Sequence, residues 1–331
     1  MAMNQVQFQK GLSVAEFMAS YGSEAGCREA LERARWPQGF VCPKCSHVTC
    51  RRFERGGQLY LECTACGRQT SLVSGTLFQS SKLPLRLWFL AMYLLSAAKT
   101  NLSALELKRH LGVCYRTAWR TKQKIMQAMT AREEARRLEG FVQIDDAYLG
   151  GEINGAKPGR GSPNKQAFLI AVQTDETMEK VLYAVAEPVP TFDKAAVADW
   201  AARRLDPECE VYTDGLGAFN ALEDQGHART TVVASGRRER TQTTSARWVN
   251  VVLANIKRSL SGVYHSIRQQ KYARRYLAEA TWRFNRRFDL RALVPRLTVA
   301  MATCGPHSER MLRMATNYAH CRLALIRYMY S

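Results

Sequence analysis

Two Cys-x-x-Cys pairs, Cys42 with Cys45 and Cys63 with Cys66, stand seventeen residues apart, and no other feature restricts the local folding of this chain so tightly. Four thiolates at that spacing can close a tetrahedral site around one structural Zn²⁺. The metal would stabilise a module too small to fold on its own apolar surface. His47 and Cys50 are near enough in sequence to act as substitute ligands, but the paired spacing favours the four cysteines named. The other cysteines, Cys27, Cys114, Cys209, Cys304 and Cys321, are scattered and are expected mostly to pack as small apolar residues. A disulfide framework would be out of place in the cytoplasmic, nucleoid-associated setting expected for the chain.

That setting follows from charge and from what the sequence lacks. Against 48 Lys and Arg there are 29 Asp and Glu, a formal net charge of +19, which points to a polyanionic partner with nucleic acid first. The first residues, MAMNQVQFQKGLSVAEFMASYG, have no basic region followed by an apolar block, so no secretory signal is expected. The longest apolar run, Leu87 to Ala98, is too short to span a bilayer and reads as a buried helix, so no membrane partner is expected.

The pattern divides the chain into a helical segment (1–36), the zinc module (37–79), a helical region (80–138), an α/β core (139–300) and a C-terminal helical tail (301–331). In the core, FVQIDDAYLGG, QAFLIAVQTD and KVLYAVAEPV read as consecutive strands. TFDKAAVADWAARRL has helical spacing, ECEVYTDG is a strand ending in an acidic turn, and a shorter run lies around ARTTVVAS, so a mixed sheet is expected. KPGRGSPNK, from Lys157 to Lys165, reads as a loop over the sheet edge.

In the helical region Ser103 and Glu106 fit a capping box, with a helix to about His110 and a turn at Leu111-Gly112-Val113. A second helix, from Tyr115 to Met129, carries Arg116, Thr117, Arg120, Lys122 and Lys124. This is a helix-turn-helix pattern whose basic face could enter a major groove; an ordinary helical hairpin with a solvated face would look the same.

Asp145 is expected to end one strand and Asp214 another, which would bring two carboxylates to one sheet edge. Paired carboxylates can bind Mg²⁺ or Mn²⁺, and a pair of such ions serves phosphodiester cleavage and transfer; strand-end aspartates also act simply as turn formers. The helix after Ser245 adds weight. Val249, Val252, Leu253, Ile256 and Leu260 form one apolar stripe, while Asn250 and Lys257, seven residues apart, share another face within about 20°. The amide oxygen of Asn250 could complete a metal site, and Lys257 could hold a phosphate.

These motifs, taken in order, resemble the DDE-type insertion-sequence transposases of the insertion-sequence 1595 family. The resemblance runs from Trp36 to about Asp289. It rests on WPQGFVCPKC, CTACGRQTSLVSGTLF, SKLPLRLWFLAMYLL, LGVCYRTAWRTKQKI, VQIDDAYLGGE, VYTDGLGAF, NVVLANIKRSLSGVYH and YLAEATWRFNRRFDL. It implies a ribonuclease-H-like core joined to a zinc ribbon, with Asp145, Asp214 and Asn250 holding two Mg²⁺ or Mn²⁺ ions and Lys257 behind them. Asp146, Glu152 and Glu279 are then fallback carboxylates, expected in supporting, turn and surface-helix positions. Part of the family is similar in having asparagine where other transposases have glutamate.

Between Val251 and Arg296 there are eleven Lys and Arg against two Asp and Glu. Arg258, Arg268, Lys271, Arg286 and Arg287, with the helix-turn-helix residues, are expected to track the phosphates of double-stranded DNA. The expected function is a transposase that binds terminal inverted repeats, cuts with divalent metal and joins the 3′ end to target DNA, acting at least as a homodimer. A non-catalytic DNA-binding regulator and a metal-dependent nuclease of the same fold are the alternatives.

Overall fold

The computed structural model describes residues 9–98, 100–150, 165–232, 243–264 and 269–314. Glu152, Arg268, Cys321, the loop before Lys165 and the tail beyond 314 lie outside the described residues.

Local chemistry sets the N-terminal elements. Helix α1 (Val14–Tyr21) starts at a reciprocal cap: Ser13 Oγ accepts from the backbone of Glu16, whose carboxylate accepts from the backbone of Ser13. Helix α2 (Glu24–Arg35) begins on a one-sided cap, Ser23 Oγ accepting from Gly26 N. Strands β1 (Cys50–Arg55), β2 (Gln58–Cys63) and β3 (Gln69–Ser71) form an antiparallel sheet in that order. Its β1–β2 hairpin turns on Gly56-Gly57, both left-handed, as a two-residue hairpin requires.

Helix α3 (Leu85–Ala97) is the buried apolar run, and α4 (Ala104–Leu111) and α5 (Tyr115–Glu134) follow. The α4–α5 turn is closed by Gly112 at φ 65°, whose N–H donates to Lys108 O. Helix α5 extends past the expected end at Met129 and is buried from Thr121 to Thr130. It contributes Ile125, Ala128 and Met129 to a helical core shared with α1 to α4, while Met126 reaches a core beneath the sheet.

The large sheet has the order β6-β5-β4-β7-β8, from β4 (Phe141–Leu149), β5 (Gln166–Thr174), β6 (Val181–Pro188), β7 (Glu210–Thr213) and β8 (Ala228–Thr231). Strand β5 runs antiparallel to both β4 and β6, whereas β7 runs parallel to β4 and β8 parallel to β7. A central first strand, an antiparallel meander on one side and parallel strands on the other are the ribonuclease-H-like order expected from the motifs.

Each face of this sheet is covered. Helix α6 (Lys194–Arg204), capped by Asp193, and the short α7 (Asn220–Asp224) close a core containing Val142, Ile144, Trp200 and Val211. Helices α8 (Thr244–Ser261) and α9 (Gln269–Phe284) close the other, over Ala147, Leu149, Phe168 and Ile170.

Helix α10 (Leu293–Thr303) places Leu293, Leu297 and Met301 in the helical core with α2 and α3, and α11 (Glu309–Met314) follows it. Residues 293–303 therefore pack with the N-terminal helices, although the sequence pattern assigns residues up to 300 to the α/β core. No helix among the described residues is long and apolar enough to cross a membrane.

Candidate metal centres and basic surfaces

The four cysteine sulfurs of the small sheet lie within 4.8 Å of one another. The Cys42–Cys66 and Cys45–Cys63 sulfurs are each 3.6 Å apart, far beyond a disulfide bond. A ZnS₄ tetrahedron with 2.3 Å bonds has edges of about 3.8 Å, so the thiolates fit one zinc ion closely. The two knuckles match: Ser46 N donates to Cys42 O and Gly67 N to Cys63 O, with Ser46 and Gly67 both left-handed. His47 instead pairs with Thr64, and neither it nor Cys50 belongs to the cluster.

The second centre is built by strand register. Parallel pairing of β4 with β7 sets Phe141 opposite Glu210 and Gln143 opposite Tyr212, so continuing the count brings Asp145 level with Asp214. Alternation along a strand puts Asp145 on the same face as Gln143 and Ala147, toward α8. Asp145 is thus in the middle of β4, not at its end as expected; what ends near it is the pairing with β7. Asp214 does follow directly on β7, and its Oδ1 accepts from Leu216 N. Carboxylate oxygens of Asp145, Asp146 and Asp214 all lie within 4.8 Å of one another, and all three residues are half-buried. Such oxygens suit a hard divalent cation. The family resemblance placed Asp146 only in support, because the family's motif puts the catalytic aspartate first in its acidic pair.

Helix α8 buries all five residues of the expected stripe. Trp248 donates its indole N–H to Met178 O in the β5–β6 turn. Asn250 lies about 200° farther round the helix and so faces the opposite flank, toward β7, with Lys257 on that same flank. Asn250 is half-buried and its Nδ2 donates to Ala246 O, leaving the amide oxygen as the group able to coordinate. Lys257 is exposed.

The basic residues separate into two sets. Arg258 and Lys271 are exposed. Arg116 and Arg120 are on the outer face of α5, where both reach Glu309 of α11, and Thr117 is half-buried against Cys114. Lys124, by contrast, is buried, its ammonium donating to Leu77 O and Gln79 O, and burial pushes its pKa down to about 8. Lys122 is likewise buried, on Leu102 O, Tyr264 and Glu279. Arg286 pairs with Glu133 and lies over Trp282, and Arg287 donates to the carbonyls of Val181, Leu182 and Phe284. The expectation that Lys124, Arg286 and Arg287 meet phosphates is corrected: their charges are taken up inside the fold. Glu279, expected on a surface helix, is fully buried and accepts from Asn101 and Tyr264.

Comparison with known proteins agrees with this arrangement. Residues 137–285 match the ISXO2-like transposase domain and residues 22–69 the transposase zinc-ribbon domain. A relative from Halobacterium salinarum, described as an uncharacterized protein in transposable element ISH50, is 30% identical over 230 residues, spanning 65% of this chain and 75% of that protein. Two solved structures are also similar, the Mos1 strand transfer complex and a pre-cleavage Mos1 transpososome, each at 12% identity. They cover 67% of this chain and 78% and 79% of theirs, with TM-scores of 0.25 and 0.23, too loose to bear on function. The two matched domains, over a ribonuclease-H-like sheet with clustered carboxylates and a four-cysteine ribbon, place the chain among transposase-type proteins. Within that class, the chain belongs to the insertion-sequence 1595 transposase family.

Proposed function

We propose that the protein is a DNA transposase that binds the terminal inverted repeats of its element, cleaves there, and transfers the freed 3′ end to target DNA. The observation that carries this reading is the meeting of Asp145, Asp146 and Asp214 where β4 and β7 part, beneath α8. Asp145 and Asp214, with the amide oxygen of Asn250, would hold Mg²⁺ or Mn²⁺. When bound, a pair of such ions polarises the scissile phosphodiester and lowers the pKa of the attacking hydroxyl.

The chain's own residues gather and orient. The carboxylates concentrate negative charge that would repel DNA in the absence of a cation, so DNA engagement and cation binding are coupled at this edge. Lys257 supplies a point charge for a phosphate on the Asn250 flank. In the first step water adds to phosphorus and the 3′ oxygen leaves as a hydroxyl; in the second that hydroxyl attacks a target phosphodiester, whose own 3′ oxygen takes the proton and leaves as a hydroxyl. The ribbon and the outer face of α5 are the DNA-binding parts of this reading, and two ends held together require at least a dimer.

The test uses duplexes carrying the inverted repeats that flank the gene. Asp145→Ala and Asp214→Ala should each lower cleavage and joining by at least about a thousandfold while retaining duplex binding. Full activity in either variant refutes the assignment. Binding without cutting by the unaltered protein would make it a regulator, and cutting without joining a nuclease.

A further inference from the structure

Gln143 lies two residues before Asp145 on β4 and is fully buried. Both ends of its side-chain amide are spent on helix α8. Nε2 donates to Thr244 O at 2.8 Å, and Oε1 accepts from Trp248 N at 2.9 Å and Val249 N at 3.0 Å. Thr244 O and Trp248 N are acceptor and donor of one i→i+4 rung, so the amide straddles a turn of the helix. Only a group that donates and accepts at once satisfies both, which a carboxylate, an ammonium or an alkyl chain cannot do.

Two positions along a strand span about 6.6 Å on one face, and Asn250 is the next residue after Val249. One side chain therefore fixes the axial position of Asn250 relative to Asp145. The Trp248 bond to Met178 O supplies the other constraint, the roll of the helix that turns Asn250 toward β7.

We propose that Gln143 is a positioning residue for the metal centre, holding Asn250 at ligand distance from the ion bound by Asp145. The proposal rests on the reading of Asn250 as a ligand. Gln143 touches neither substrate nor cation and acts through α8.

The test is a titration of the full-length protein with Mn²⁺, following the paramagnetic resonance of the free ion, beside cleavage of repeat DNA. Gln143→Met keeps the volume and removes all three hydrogen bonds. It should weaken Mn²⁺ binding about tenfold, change duplex affinity by less than about twofold, and add nothing to the defect of Asn250→Ala in the double variant. If Asn250→Ala weakens Mn²⁺ binding but Gln143→Met does not, or if the two defects multiply, the positioning role is overturned. If Asn250→Ala leaves Mn²⁺ binding unchanged, the ligand reading itself fails and the proposal with it. Gln143→Asn keeps the amide but falls one methylene short of α8, and keeps the question decidable should Gln143→Met not fold: a weakening of Mn²⁺ binding of about threefold or more supports the proposal, and unchanged binding overturns it.

Discussion

Asp146 shares a peptide bond with Asp145, yet its strand position belongs with Ile144 and Tyr148 on the α6 side of the sheet. Its carboxylate nevertheless approaches those of Asp145 and Asp214. The two aspartates therefore make different predictions. Asp145 and Asp214 share the face that α8 covers, the side that carries the proposed ligand Asn250. Asp146 adds charge from the other side, raising the attraction for a cation without facing the same flank. Asp146→Asn should weaken Mn²⁺ binding by about tenfold and leave cleavage at saturating Mn²⁺ within about tenfold of normal, whereas Asp145→Asn should abolish cleavage at every concentration. Equal loss in the two variants, measured as cleavage rate against Mn²⁺ concentration, would make Asp146 a full member of the centre. In the sequence only the order of the family motif separates these residues; their periodicity does not show which faces the ion until the register of β4 against β7 is known.

At the scale of elements, what was legible depended on whether an element is buried on one side or on all. The stripe on α8 has the helical period and was read correctly to the residue, since one side packs on the sheet. The strands were legible for the same kind of reason: FVQIDDAYLGG, QAFLIAVQTD and KVLYAVAEPV became β4, β5 and β6. Helix α5 was not, because it runs between two cores and buries Lys122, Gln123, Lys124 and Gln127 as well as its apolar side. Its lysines look like a solvated basic face until their carbonyl partners are seen. The ribbon lies at the other extreme, with almost no core: Phe40 and Leu61 are its buried hydrophobics besides two of the cysteines. Zinc removal should therefore unfold it alone. A strong chelator is expected to open residues 38–71 to proteolysis and hydrogen exchange while α3, α5 and the large sheet remain protected. Unchanged protection of the ribbon in protein shown to be free of zinc would mean that the metal is not structural.

Across the whole molecule, the net charge of +19 is not simply displayed outward. Glu187 collects Arg203, Arg204 and Arg274, tying α6 and α9 to β6, and Glu133 of α5 collects Arg136 and Arg286, so these five arginines are spent on internal ion pairs. The outer face of α5 is met by the far end of the described chain: Leu312 of α11 is buried, and its neighbour Glu309 takes hydrogen bonds from Arg116 and Arg313, which hold its pKa below the usual carboxylate range. Arg120 also reaches this carboxylate, at 3.6 Å. A phosphate approaching α5 has to displace that carboxylate and meets its like charge, while the exposure of Arg116 keeps each pair weak. Glu309→Gln removes the competing charge without removing α11. Affinity for duplex DNA should then rise by about three- to tenfold at low salt, and the log–log salt dependence should steepen by about two phosphate contacts, one for each arginine released. Arg116→Ala with Arg120→Ala should abolish that steepening. A salt slope unchanged by Glu309→Gln, with the double arginine variant binding normally, would remove α5 from the DNA-binding surface and leave the ribbon, Arg258 and Lys271 to carry it.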